Sequence, residues 1–242
     1  MTCVAPGLVE DSMFVEVEDA ARIVARHDWR IEPREYARHE ARRGRRFAFP
    51  HLVPENTALI VIDMVPLHVA ENPYCRGIVP NINRLADALR GGGGTIAWVL
   101  PSTSKPTARA IEFFGPKTAE IYSSSGGFGP VRSRLWPELE PRASDMFVEK
   151  SAMSAFFPGR CVLPDLLRRQ GIDTVLITGT VTNVCCESSA RDASTLEFRV
   201  IMVADANAAR RNQDHNATLH TIYRSFGDVR PTREVLDMID DQ

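Results

Sequence analysis

The sequence predicts an α/β protein, a three-layer α/β/α domain around a central, mainly parallel sheet of about six strands. Short β-branched and apolar runs recur from Thr57 onward, and stretches with helical spacing separate them. The runs are apolar throughout instead of alternating, as strands covered on both faces require.

Residues 1–50 read as a charged N-terminal extension or arm, broken by Pro33 and Pro50. Its stretch "REYARHEARRGRRF" is basic enough for a solvated helix, with the gripping of a neighbouring subunit or an acidic ligand as the second reading. Residues 51–242 form the domain. Its first strand is "TALIVID", Thr57 to Asp63, followed by the helical "VPNINRLADALR" with Gly91 at a C-cap position. The second strand is "TIAWVL", Thr95 to Leu100. The run Gly91 to Gly94 precedes that strand instead of following one, so it is a turn at the amino edge of the sheet and not a phosphate loop. "DMFVEK", Asp145 to Lys150, is the third strand, and "VLPDLLRRQG" a helix capped by Gly171. "TVLITG", Thr174 to Gly179, is the fourth, with a helix from Asn183 to Ser194 after it. "FRVIMVADA", Phe198 to Ala206, is the fifth. A helix from Asp214 to Ser225 ends near Gly227, and a sixth strand lies at "GDVRP".

Composition narrows the function classes. With 44% hydrophobic and 25% charged residues the chain is of the ordinary globular kind. A net charge of -2 gives no reason to expect nucleic acid or a membrane surface as partner. No apolar run approaches the roughly 18 residues of a membrane span, and the start lacks a basic region followed by an apolar one, so a cytoplasmic protein is expected. Five cysteines, Cys3, Cys75, Cys161, Cys185 and Cys186, form an odd set without zinc-type spacing. Reduced thiols follow, and no structural metal or cofactor is expected.

Ligands of such sheets bind outside the carboxyl ends of the strands. The first strand ends in Asp63, the third in Lys150, and the fourth runs into "GTVTNVCCESSARDA". Singly, each has an ordinary explanation: a turn residue, a solvated amine, an inert small hydrophobe. Together they describe thiol chemistry. An ammonium and a helix N-terminus lower a thiol pKa, and a carboxylate carries the proton.

The blocks "ALIVIDM", "EKSAMSAFF", "GIDTVLITGTVTNVCCESSARDA" and "VADA" resemble, in order and separation, those of the isochorismatase-like cysteine hydrolases, over roughly Thr57 to Arg230. The resemblance implies a catalytic triad of Asp63, Lys150 and Cys185, with Cys186 in packing. It also implies a cis peptide between Thr180 and Val181, with the backbone N–H groups of Val181 and Cys185 as an oxyanion hole. The implied reaction is hydrolysis of a carbon to nitrogen bond in a small amide through a thioester, by a homo-oligomer. The extension, "DMVP" and the "SFGDVRPT" tail are most similar to the streptothricin hydrolases, which open a lactam and so detoxify an antibiotic. Ureidoacrylate and carbamoyl amidohydrolases have a similar nucleophile block. An isochorismatase-type ether hydrolase and a noncatalytic binding protein are further alternatives.

Relatives that follow the first Asp with Gln and Asn line their pocket with those amides, whereas "DMVPLHV" offers Val65, Pro66 and, as a polar liner, His68. Nicotinamidase relatives place zinc ligands after the second strand, where "WVLPSTSKPT" has none. "SSSGGFGPVRSRLWPEL" reads as a covering loop, with Phe128 and Trp136 as an apolar lid. Trp98, Phe156 and Phe157 are further candidates for the pocket wall.

Overall fold

A computed structural model describes residues 23–240. Cys3 and the first part of the predicted extension lie outside them. The strands are β1 (Thr57–Ile62), β2 (Thr95–Pro101), β3 (Met146–Lys150), β4 (Thr174–Thr180), β5 (Arg199–Ala208) and β6 (Asp228–Arg230). The helices are α1 (Pro33–Arg43), α2 (Pro66–Val69), α3 (Pro73–Gly91), α4 (Ala108–Phe114), α5 (Pro116–Ser123), α6 (Leu163–Arg169), α7 (Glu187–Thr195), α8 (Asn212–Ser225) and α9 (Thr232–Asp240). Among the described residues no helix is long and apolar enough to cross a membrane.

All six strands are parallel, in the order β3-β2-β1-β4-β5-β6. The chain builds outward from β1 to β3, then returns to the other side of β1 as β4. That reversal opens a crevice at the carboxyl ends of β1 and β4, where sheets of this kind bind ligands. β1 is buried along its whole length, and one face of the sheet packs Ile60, Ile62, Val99, Ile177 and Met202 against α6, α7 and α8. Leu59, Val61, Trp98, Leu176 and Val203 face α3 and α9 on the other side. This two-sided cover is why the strands read as unbroken apolar runs.

Three local features differ from the sequence reading. α3 begins at Pro73, keeps Pro80 inside, and runs through Gly91 to a cap at Gly92. The predicted helix at Asn183 starts as a wide π turn, Thr182–Cys186, in which Val181 O accepts from both Val184 N and Cys186 N, before α7 takes over. The described part of the extension is no free arm. Ile31 enters the core, Tyr223 Oη donates to Arg46 O at 2.6 Å, and the Asp228 carboxylate accepts from Ala48 N and Phe49 N, each at 2.8 Å. By contrast α4 has no buried residue.

Gly179 makes the crevice possible. It pairs with Ile62 at a φ of 109°, and a Cβ there would run into the Ile62 backbone. Gly179→Ala combines that clash with an unfavourable φ and is expected to cost about 2–3 kcal/mol. A lowered urea midpoint at unchanged slope checks this.

Candidate active site

The ends of three strands supply the candidate chemical groups. Asp63 follows β1 at a φ of 53°, its N–H donating to Val99 O at 2.9 Å, and only 1% of it is exposed. Lys150 ends β3, about 10 Å from β1 because β2 lies between them. Its buried side chain crosses the end of β2 and places Nζ 2.9 Å from Asp63 Oδ2. The same ammonium donates to Ala152 O at 3.1 Å and to Cys185 Sγ at 3.6 Å, which occupies its three N–H bonds. Cys185 sits in the π turn after β4, and the Thr180–Val181 peptide bond before it is cis, as the resemblance implied.

The electrostatics correct one expectation. Lys150 was expected to lower the Cys185 thiol pKa, but burial and the Asp63 carboxylate raise it, and the lysine only partly offsets them. The ammonium itself is held above its ordinary value: burial pulls it down, and Asp63 and Cys185 more than reverse this. The resting site is therefore a thiol beside a carboxylate–ammonium pair. Asp63 Oδ1 is buried without a partner in hydrogen-bond geometry, and the thiol beside it has the proton to give.

Neighbouring groups hold the turn. Ser189 Oγ donates to Cys185 O at 2.6 Å and accepts from Ala155 N at 2.9 Å, tying the "SAMSAFF" segment to the cysteine. Cys186 is fully buried, its Sγ 3.9 Å from Thr178 O, within the core of one face. Cys75 Sγ lies 3.2 Å from Thr180 Oγ1, and burial raises its pKa to about 11.

The predicted pocket wall is only partly assembled. His68, half-buried on α2, is beside the site: burial lowers its pKa, Asp63 opposes this, and Lys150 and Arg210 add to it. Trp98 is placed elsewhere. It lies within β2, fully buried, and its Nε1 donates to Asp145 Oδ2 at 2.8 Å, at the amino edge of the sheet. Phe156 is also core, packed edge-on against Phe198 with ring centroids 5.6 Å apart. Trp136 packs against the α3 side of the sheet, and its backbone N–H donates to Met64 O, so it anchors the loop instead of capping it. Phe128 and Phe157 are exposed. Among the described residues no group of three or more His, Cys, Asp or Glu side chains could hold a metal ion.

Arg210 escaped the sequence reading. It is exposed two residues beyond β5, and its charge acts on both His68 and Cys75. The signal was available: it is a charged residue past the carboxyl end of a strand, like Asp63.

Known proteins resemble this chain in sequence and in fold. Residues 57–234 match the isochorismatase domain family. An uncharacterized isochorismatase family protein, YwoC of Bacillus subtilis (strain 168), is 31% identical over 190 residues, 76% of this chain and 95% of that protein. The ureidoacrylate amidohydrolase RutB of Rhizobium rhizogenes is 29% identical over 203 residues, 73% of this chain and 80% of that one. The crystal structure of a cysteine hydrolase from Pseudomonas syringae pv. phaseolicola superposes with a TM-score of 0.70 at 28% identity, covering 81% of this chain and 97% of the other. With its six-stranded parallel sheet and this domain match, the chain belongs to the isochorismatase family of hydrolases.

Proposed function

We propose that the protein is a cysteine amidohydrolase that cleaves a carbon to nitrogen bond through a thioester on Cys185, with no metal in the chemistry. The supporting observation is the buried contact of Lys150 Nζ with both Asp63 Oδ2 and Cys185 Sγ. Asp63 takes the thiol proton as the sulfur attacks the amide carbonyl carbon. The backbone N–H groups of Val181 and Cys185 receive the oxyanion, and removal of one such donor costs on the order of a hundredfold or more in rate. The C–N bond breaks, and Asp63 returns its proton to the departing amine or ammonia. A water molecule then gives a proton to Asp63 and attacks the thioester, releasing the acid and restoring the thiol. Lys150 keeps one positive charge beside the carboxylate and sulfur throughout.

Arg210 favours a substrate with an anionic end, such as an ureido or N-carbamoyl acid, because its charge lies beside the polar liner His68. Lactam opening of the streptothricin kind is the second reading, supported by "DMVP" and "SFGDVRPT" in the sequence. A panel of ureido acids, N-carbamoyl amino acids, neutral amides and lactams, followed by product mass in chelator-containing buffer, separates the two. Turnover of none of them, or loss of activity to the chelator, counts against the reading. Arg210→Ala is expected to raise KM about tenfold or more for carboxylate-bearing substrates, the size of a charge-assisted contact, and to leave neutral ones little changed. Equal effects on both would remove Arg210 from substrate selection.

A further inference from the structure

Two imidazoles outside the candidate triad lie on the path from the N-terminal extension to the nucleophile turn. His27 is sandwiched between Tyr74 of α3 and His215 of α8, with ring centroids 4.0 and 4.1 Å away and planes within 4° and 8°. Its protonation follows from its partners. Ala209 N–H donates to Nε2 at 3.0 Å, so that nitrogen carries no proton, and Nδ1–H is left to donate to Asn212 Oδ1 at 2.7 Å. His215 is fully buried, and its Nδ1 meets Thr182 Oγ1 at 2.9 Å. Thr182 opens the π turn that contains Cys185. Its carbonyl accepts from Glu187 N–H at the turn's other end, so this residue is held by both its hydroxyl and its backbone.

We infer that His215 is a positioning residue for the nucleophile turn, acting through Thr182, and that His27 of the extension clamps it in place. Burying polar rings is unfavourable unless their nitrogens find partners, so an apolar ring would fill the same space at lower cost. Three of the four nitrogens here point at the backbone after β5, at the start of α8 and at the turn, and the fourth, His215 Nε2, is buried without a partner in hydrogen-bond geometry. Burial and the neighbouring His27 hold the His215 pKa near 3, so the Thr182 contact persists across the physiological range. A thiol displaced by about 1 Å from its attack position loses up to a hundredfold in rate, which is the scale on which such a clamp acts.

The inference rests on Cys185 as nucleophile, yet it is testable without a substrate. The rate of Cys185 alkylation by iodoacetamide, located by peptide mass, reports on the presentation of the thiol. Thr182→Val and His215→Phe are each expected to slow it about tenfold, and the double variant no further, because both remove one contact. Thr182→Ser, which keeps the hydroxyl, is expected to restore the rate. His27→Phe keeps a flat ring between Tyr74 and His215 and should slow alkylation less than His27→Ala. Additive losses, or unchanged alkylation in variants whose melting temperature falls, would overturn the relay. Equal rates in the two His27 variants would overturn the clamp. Failure of the amidase reading would show separately, as absent turnover with these alkylation rates intact.

Discussion

Cys185→Ala is expected to abolish turnover, with kcat falling on the order of a millionfold and no acyl adduct detectable by mass. Neither Cys186 nor Cys75 is placed to substitute. Cys186 is fully buried on the core side of the turn, and Cys75 faces Thr180. An acyl adduct on Cys186, or full activity in the variant, would overturn the assignment. The wild-type thiol has a second signature. Burial and Asp63 raise its pKa, so iodoacetamide should modify it slowly at neutral pH and faster as the pH rises. A thiol activated at rest by Lys150 would instead react at a rate independent of pH through the neutral range. On the proposed mechanism the reactive form of the sulfur arises when substrate arrives and Asp63 accepts the proton.

Lys150→Met is expected to remove activity and about 3–5 kcal/mol of stability together, because it strands the Asp63 carboxylate in a site that is nearly water-free. Asp63→Asn combined with Lys150→Met should recover most of the stability and none of the turnover. Urea midpoints of the three proteins measure this, and full stability in Lys150→Met alone would mean that the pair is not held as described. The pH dependence has a definite sign. The folded ammonium has a pKa above its ordinary 10.5, so its contribution is fully present below that value and is lost as the pH rises through the folded one. The wild-type protein therefore loses stability in strong alkali in a way that Lys150→Met does not share.

The sheet and the meeting of Asp63, Lys150 and Cys185 were legible for one reason: each part is written in a single segment. The inner strands β1, β2 and β4 are largely apolar runs because they are covered on both faces, Asp63 and Lys150 stand at strand ends, and Cys185 follows within a turn of β4. The pocket wall was not legible, because it depends on which way a side chain leaves its strand. Trp98 stands at the middle of β2, and its indole is drawn to the amino edge by Asp145, the residue just before β3. Phe156 follows Lys150 but turns inward to meet Phe198. The thiol pKa was misread for a related reason. The sequence names the charges around Cys185 but not the depth at which they sit, and depth decides the sign. His27 was out of reach for a third: its partners Tyr74 and His215 lie far along the chain, and no periodicity connects them.

The reach of Lys150 over β2 leaves the long connection between β2 and β3 without a member of the Asp63, Lys150 and Cys185 cluster. That connection holds α4, with no buried side chain, and the exposed Phe113 and Phe128. Insertions, deletions and exchanges there can alter what is admitted to the crevice while Asp63, Lys150 and Cys185, held at the ends of β1, β3 and β4, stay in register. Directed evolution of new substrate preference is thus best aimed at residues 102–145, with the chemistry insulated from the library.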